Sequence, residues 1–376
     1  MNTRIAPSVH RATDSTYVVS GFADSSAVLA DRRMSSDPAT GEHLHPDITN
    51  ALGSDGLGRV SMQMCDAARH QRLRRAIAPA LTPGRCAGPL ARLAGRADDL
   101  LGDLIARGSG DLIAEFALPL AFSTICDLLG IPDRDRDRTL RWAEASTMPD
   151  PVVSADGGAS LDEYLVALLA TGSELPADSL YRELVAARES GGLSDAEAVG
   201  TAALMLIAGY ETTVSFLGSS ALILLMTPRL RDLLVRQPDL QPAAIEELLR
   251  YVTPTRGTWT RFATDDVPIG DVVVPAGSAV VVDLATANRD ALRFAAPDRL
   301  DLSRADNRHL AFGHGPHYCP GATLARREAQ VVLGVLMPRL GELELTDTEL
   351  HWHENRFSRR PRSLDVVVTR RRATDG

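Results

Sequence analysis

A run of apolar residues at 195–226 is the feature that most constrains the fold of this chain. Ser194 and Glu197 form the Ser-x-x-Glu pattern of a helix N-terminus, and Pro228 follows the last apolar residue. About 32 residues at 1.5 Å each make a helix of roughly 48 Å, enough to cross a domain. A membrane span is the alternative, but Glu211 lies mid-run, where a carboxylate is costly in lipid. We therefore predict a buried helix of a soluble protein.

Composition narrows the class of protein further. The 376 residues are 44% hydrophobic and 24% charged, as in an ordinary globular protein, and a length of this kind on its own suggests two or three domains. The net charge of −9 argues against a general nucleic-acid binder. Four scattered cysteines match neither a disulfide framework nor a zinc site, and the N-terminus has no apolar signal core. We expect a cytoplasmic protein.

Residue patterns predict mostly helices, with β structure gathered in the C-terminal third, an α+β arrangement. Residues 1–14 are polar and are expected to be loosely ordered, and 16–21 read as a strand. Residues 148–160 are predicted to form a mobile loop. Two β-branched runs on either side of the turn at 275–277 predict further strands.

Cys319 stands where a glycine-rich loop becomes a helix, in the segment HLAFGHGPHYCPGATLARREAQ. The free amides and the positive dipole end of the following helix favour a thiolate there. Glycines allow the backbone to approach a flat ligand closely. A thiolate held in this way is a suitable axial ligand for haem iron, whereas the alternative for a lone cysteine is a buried, inert thiol.

Phe312, Gly315, Cys319 and Gly321 spell F-x-x-G-x-x-x-C-x-G, which resembles the haem-binding loop of the cytochrome P-450 family. The resemblance extends over nearly the whole chain. It implies a single cytochrome P-450 domain over 1–376, mainly α with a smaller β-rich region. It also implies that haem b (iron protoporphyrin IX) lies between the long helix and the cysteine loop, with Cys319 as the iron ligand and the other three residues contacting the haem.

The sequence AGYETT at 208–213 resembles a second family motif, A-G-x-D/E-T-T, in the long helix. Ala208 and Thr212 are one helical turn apart, so they share a face, and the Thr212 hydroxyl can bond to the carbonyl of Ala208. The resemblance implies that Ala208 lies against the haem, that Thr212 assists O₂ activation and that Glu211 relays protons. The alternative is that Thr212 and Glu211 only satisfy each other inside a core.

Glu247 and Arg250 match the family's E-x-x-R. The resemblance implies a buried structural pair that holds the loop under the haem, completed by an arginine in the segment Pro-Asp-Arg-Leu. We predict that Arg299 is this third member. At an exposed helix surface the same spacing would contribute only about 0.2–0.5 kcal/mol.

Haem carries two propionates, which need cationic or hydrogen-bond-donating partners. The family supplies them from four positions, and His70, Arg74, Arg261 and His317 stand at the matching positions. The alternative for His70 and Arg74 is a solvated helix face.

The resemblance implies a haem-thiolate monooxygenase that hydroxylates, epoxidises or oxidatively couples a small organic molecule in secondary metabolism. No flavin or nicotinamide segment is visible, so a separate ferredoxin and ferredoxin reductase are expected to supply electrons. Their predicted docking residues are four arginines of the cysteine side, Arg74, Arg75, Arg326 and Arg327. No nucleic-acid or membrane partner is expected. The alternatives are radical coupling without oxygen insertion, a non-catalytic haem sensor, and a helical protein without haem.

The chain departs from the family pattern at two places. Pro320 replaces a bulky aliphatic residue, and because proline has no amide proton, one potential hydrogen bond to the sulfur is absent. The region 140–180, which covers the substrate pocket in the family, looks shortened. We predict that segments 60–80, 145–180 and 252–260 line the substrate pocket, with Trp259 either contacting substrate or packing in the core.

Overall fold

The computed structural model describes residues 8–45, 60–171, 175–347, 349–354 and 358–369. Within these ranges helices dominate, as the sequence predicts. The helices are α1 Phe22–Ala30, α2 Ala67–Ile77, α3 Pro83–Arg107, α4 Leu118–Leu129, α5 Asp133–Ser146, α6 Pro151–Ala170, α7 Leu180–Glu189, α8 Asp195–Met226, α9 Pro228–Arg236, α10 Gln241–Val252, the short α11 Leu284–Ala287, and α12 Ala322–Arg339.

Short strands make up four sheets among the described residues. The strands are β1 Val9–Arg11, β2 Thr16–Val19, β3 Met34–Ser35, β4 Ser109–Asp111, β5 Arg261–Ala263, β6 Val267–Ile269, β7 Val272–Val274, β8 Ala279–Val282, β9 Leu343–Leu345, β10 Trp352–Glu354, β11 Arg359–Pro361, and β12 Asp365–Val368. The largest sheet has the order β1-β2-β8-β5-β3. Its β2 and β8 are parallel, with Thr16 opposite Ala279, and its other pairs are antiparallel.

The long helix α8 is the element around which the other helices pack. Its N-terminus is the predicted capping box, in which the Ser194 side chain accepts from the Glu197 amide and the Glu197 carboxylate accepts from the Ser194 amide. Helices α4, α6, α7 and α10 pack against it. By itself α8 is long and apolar enough to cross a membrane, but 67% of that apolar window is buried inside the protein. The sequence-based choice of a core helix is confirmed.

Two hydrophobic clusters meet at the cysteine loop. The larger cluster belongs to the helices, and the smaller lies between the five-stranded sheet and α1. Leu310, before the loop, belongs to the smaller cluster, and Leu324, in α12 after the loop, belongs to the larger. The loop is therefore held from both sides.

Two local expectations differ from the structure. The segment 148–160 is not a loop, because α6 begins at Pro151, where the Asp150 carboxylate accepts from the amides of Val152 and Val153. Asp-Pro at a helix start is a strong capping signal that outweighs the Gly and Ser content. Of the residues expected to be loosely ordered, Val9–Arg11 form β1, while residues 1–7 lie outside the described ranges.

Candidate active site

A deep cavity lies between α8, the cysteine loop, α2 and the segment before β5. Its empty volume, together with the open solvent at its mouth, is about 1660 Å³. Of the residues proposed from the sequence, nine line it: His70, Arg74, Ala208, Thr212, Arg261, Phe312, His317, Cys319 and Gly321. Gly315 and Glu211 do not line it.

The cysteine loop is shaped by backbone contacts and by two glycines. The Cys319 amide donates to the carbonyl of Phe312 at 2.9 Å, which closes the loop. Gly313 and Gly315 both have positive φ, +70° and +71°. At Gly315 a β-carbon would lie 2.4 Å from the carbonyl oxygen of Leu29, so glycine is required because the loop packs directly on the end of α1. Gly315 therefore shapes the loop from outside the cavity.

The half-buried thiol of Cys319 faces the cavity, and its protonation is decided by burial. Burial raises the pKa of Cys319, while the Gly321 amide, Arg74 and Arg326 act in the opposite direction. The start of the helix therefore offsets the effect of burial on this pKa only in part, whereas the sequence favoured a thiolate. A metal ion does so when a thiol coordinates it.

Helix α8 presents one face to the cavity. The Thr212 hydroxyl donates to the Ala208 carbonyl at 2.9 Å, as predicted, and Thr213 makes the same contact with Gly209. Gly209 has a packing reason, because a β-carbon there would lie 2.7 Å from the Ile125 side chain in α4. This face is small and open at Ala208 and Thr212.

Glu211 points away from Thr212, so the two residues do not satisfy each other. Its Oε1 accepts from the Ser358 hydroxyl at 2.6 Å and lies 4.0 Å from Nε of Arg360. Both partners belong to the hairpin of β10 and β11, which packs on α8. The carboxylate is buried behind the helix face that lines the cavity.

One end of the cavity gathers positive charge. Arg261 is buried with 7% of its surface exposed, and its guanidinium makes no ion pair or hydrogen bond with the residues that the structure describes. Burial lowers its pKa to about 10, which leaves the guanidinium charged at neutral pH. A buried, unpaired cation is expensive unless an anion occupies the space before it. Arg74 also lines the cavity, and its Nη1 donates to the Tyr318 carbonyl at 2.7 Å.

Two imidazoles complete this end. The rings of His70 and His317 stack with their centroids 4.1 Å apart. Burial lowers the pKa of His317 and lowers that of His70 to about 4, and nearby positive groups add to both effects. The rings are therefore neutral at physiological pH, and Arg74 and Arg261 supply the positive charge.

These residues fit the haem that the sequence implies. The cavity combines a thiol on its wall, loop glycines at 313 and 321, and two arginines at one end for acid groups. Its remaining lining is mostly apolar, as the flat body of a porphyrin requires. When bound, haem would supply the O₂ chemistry, which no side chain here can carry out alone.

The buried pair of Glu247 and Arg250 is present, but its third member is not Arg299. Nε and Nη2 of Arg250 donate to the Glu247 carboxylate at 2.7 and 2.8 Å, and both side chains are fully buried. Nε of Arg304 lies 3.0 Å from Oε2 of Glu247. Arg299 is exposed and offers only its carbonyl, so the prediction was wrong. Arg304, which is five residues after Arg299, is the arginine that reaches the buried carboxylate.

Sequence reasoning missed one carboxyl of the cavity, Glu328 in α12. It is buried, and burial raises its pKa to about 8, with hydrogen bonds to Thr124 and Thr213 acting in the opposite direction. Both threonine hydroxyls donate to backbone carbonyls, so either hydroxyl oxygen can accept a hydrogen bond from the neutral Glu328 carboxyl. The sequence does contain a signal for this burial, because Glu328 is four residues after Leu324 and so lies on the same, buried face of α12.

The substrate end differs from expectation in one segment. Segments 60–80 and 252–260 contribute Met62, Gln63 and Trp259, so Trp259 lines the cavity. None of the described residues of 145–180 lines it. Helices α5 and α6 instead pack on each other, joined by a short turn at 147–150.

Comparison with known proteins agrees with this site. A family model described as cytochrome P450 matches residues 238–366. Cytochrome P450 107B1 of Saccharopolyspora erythraea is 40% identical over 309 residues, 81% of this chain and 76% of that protein. Mycinamicin IV hydroxylase/epoxidase of Micromonospora griseorubida is 36% identical over 362 residues, covering 94% of this chain and 90% of its own length.

Solved structures give the same result. The P450 enzyme CxnD, for C–S bond formation in chuangxinmycin biosynthesis, superposes with a TM-score of 0.88 at 32% identity over 96% of this chain and 90% of its own. Fold and site thus define a mainly helical oxidoreductase with a cysteine-walled cofactor cavity. The chain belongs to the cytochrome P450 family and is a P450 monooxygenase, and this membership implies a haem-thiolate cofactor.

Proposed function

We propose that the Cys319 thiolate would hold the iron of haem b, and that the enzyme would use O₂ to hydroxylate, epoxidise or oxidatively couple a small organic molecule of secondary metabolism. The observation that carries this is the shared cavity: Cys319, the Ala208–Thr212 face of α8 and the unpaired Arg261 all line it.

Arg261 and Arg74 would bind the propionates through charge, and His70 and His317 through ring N–H groups. The lack of side chains at Gly321 and Gly313 leaves room for the porphyrin near the sulfur, and Phe312 covers the cavity wall there. Glu247, Arg250 and Arg304 have a structural role, since they hold the segment that precedes the cysteine loop.

Thr212 and Glu211 would handle protons. The Thr212 proton is engaged with the Ala208 carbonyl, so its oxygen lone pairs are available to accept a hydrogen bond from a molecule in the cavity. Glu211 holds or releases a proton behind the same helix, where Ser358 and Arg360 anchor it.

The substrate we propose is a largely apolar natural-product intermediate. Met62, Leu204 and Trp259 provide apolar wall, and Gln63 provides a polar handle. Relatives at similar identity include nocardicin C N-oxygenase of Nocardia uniformis subsp. tsuyamanensis, 38% identical over 93% of this chain and 89% of that protein.

Radical coupling without oxygen insertion is the second candidate. Its support is the structural similarity to CxnD, an enzyme for C–S bond formation. The walls of the cavity described here suit either reaction, because both need the same cofactor and the same exclusion of water.

Electrons would come from a ferredoxin and its reductase in the cytoplasm, and residues 1–376 would act as one domain. Of the four arginines expected to attract the ferredoxin, Arg75 and Arg327 are exposed. Arg326 is engaged by Glu246 through two contacts of 2.7 and 2.8 Å, and Arg74 by the loop carbonyls. Arg75 and Arg327 are therefore the stronger docking candidates.

Isotope labelling tests the proposal. Compounds that shift the Soret band of the purified protein are incubated with ferredoxin, reductase, NADPH and ¹⁸O₂, and products are analysed by mass spectrometry. One ¹⁸O atom in the product supports oxygen insertion. An unlabelled coupled product supports the second candidate, and haem binding without any turnover of the bound compounds contradicts both in favour of a sensor.

A further inference from the structure

The carboxylate of Asp66 joins three elements at the positive end of the cavity. Asp66 immediately precedes α2, but its side chain makes no capping bond to that helix. It instead accepts from the backbone amide of Ser36 at 2.9 Å and from the hydroxyl of Ser35. Both serines are buried, so these bonds are protected from solvent.

The same group of residues reaches the cysteine loop. The Ser36 hydroxyl lies 3.0 Å from Nε2 of His317, and Oδ1 of Asp66 lies 3.7 Å from that nitrogen. The His317 ring in turn stacks on His70, which is in α2. Asp66 therefore touches β3 and the cysteine loop while standing at the start of α2.

The backbone beside Asp66 is strained. Ala67 has φ +46°, in the left-handed region that residues with a β-carbon rarely adopt. Such a conformation persists when surrounding contacts impose it. The contacts that could impose this conformation are those of the Asp66 side chain, which turns away from α2 and towards Ser35 and Ser36.

The charge of Asp66 is also notable. It acts electrostatically on Arg261, the unpaired cation that faces the cavity. A carboxylate at the positive end of the cavity weakens the attraction of that end for an anion. Asp66 must therefore serve a purpose other than anion binding. Orientation of the imidazole that contacts that end is such a role.

We propose that Asp66 is a positioning residue, which, through Ser36, fixes the His317 ring against His70 and so shapes the end of the cavity for the acid groups of haem. This role rests on the proposal that haem occupies the cavity. Asp66 would touch neither the iron nor the substrate.

Four variants separate position from charge. Asp66→Asn removes the charge but keeps an oxygen that can accept from the Ser36 amide, and Asp66→Ala removes both. Ser36→Ala removes only the hydroxyl next to His317. Asp150→Asn is the matched control, because Asp150 is also an N-terminal helix residue and its carboxylate lies on the α5–α6 turn, outside the cavity lining.

Two readouts apply to the haem-loaded proteins: the rate of haem transfer to excess apomyoglobin and the midpoint reduction potential. We expect Asp66→Ala to lose haem about tenfold faster or more, Ser36→Ala and Asp66→Asn less so, and Asp150→Asn at the wild-type rate. Both Asp66 variants lose a negative charge, so their midpoint potentials should also be more positive than that of the wild type. A purely structural change at this distance does not require a shift in the potential.

Wild-type rates and potentials in both Asp66→Asn and Ser36→Ala overturn the proposal, even if Asp66→Ala fails to fold. If the wild-type chain itself takes up no haem, the proposed function fails and this role fails with it. If the wild type binds haem and the variants match it, only the role of Asp66 fails.

Discussion

Nε of Arg304 lies 3.0 Å from Oε2 of Glu247, and this contact completes the set of donors around a carboxylate that has no solvent exposure. Glu247 also accepts from Arg250, from the amide of Asp301 and from the side chain of Asn307. The chain between α11 and the cysteine loop is thereby tied to α10.

Replacement of Arg304 by Met tests this assignment. Because the charge of Glu247 stays buried with one partner fewer, we expect a loss of about 2–3 kcal/mol in the free energy of unfolding. Arg299→Met is the control, and its effect should stay within about 0.5 kcal/mol, as for an exposed residue. Urea unfolding followed by circular dichroism measures both. Equal effects would contradict the assignment.

Gly315 and Gly313 form a matched pair for the shape of the cysteine loop. Both have positive φ, so alanine at either position should cost about 1–2 kcal/mol of unfolding free energy. At Gly315 the new β-carbon would clash with neighbouring backbone atoms, whereas at Gly313 its nearest neighbour is 3.9 Å away, an ordinary van der Waals contact. We expect Gly315→Ala to lose a further 1–3 kcal/mol, about the usual penalty of overpacking. Comparable losses for the two variants would mean that the loop does not press on α1.

Glu328 makes stability depend on pH. Its folded pKa of about 8 exceeds the reference value of 4.5, so folding binds a proton between these values. Stability is therefore fully present below about pH 4.5 and declines as pH rises to 8, by about 1.4 kcal/mol per pH unit at most.

The variant Glu328→Gln carries no ionisable group at this position. It should be more stable than the wild type near pH 8, and the difference should shrink towards pH 4.5. Chemical unfolding at a series of pH values measures it. A difference that is constant with pH, or that grows on acidification, would show that the carboxyl is ionised in the folded protein.

Thr212→Ala tests the proton-handling face of α8. Removal of the hydroxyl should leave haem binding and NADPH oxidation in place, while the share of electrons that appears in product falls by about tenfold or more. The cavity then loses the oxygen that accepts a hydrogen bond there, and a group that handles protons typically contributes about 10²–10⁴-fold. Thr212→Ser keeps the hydroxyl and should retain most of the yield. If Thr212→Ala changes only the affinity for gaseous ligands, the sensor alternative gains support.

The sequence predicted the parts of this protein that local chemistry decides. The capping box and the stop at Pro228 defined α8, and the spacing around Cys319 defined the loop. Residues with local partners were found in the same way, as with Thr212 and the carbonyl of Ala208.

Contacts between residues that are far apart in the sequence were harder to predict. Arg299 and Arg304 are both arginines after the same proline, and only the path of the chain decides which one reaches Glu247. Glu211 was expected beside Thr212, but its partners Ser358 and Arg360 are contributed by a hairpin almost 150 residues away. The pKa of Cys319 depended on burial, which the sequence does not reveal.

The central claim is that Cys319 binds haem iron as a thiolate, and one spectrum tests it most directly. Purified protein is reduced with dithionite, and absorbance is compared with and without carbon monoxide. We predict a strongly red-shifted Soret band in the wild type and its loss in Cys319→Ala. A band at the shorter wavelength typical of histidine or neutral thiol ligation, or a red-shifted band that survives in Cys319→Ala, would contradict the account.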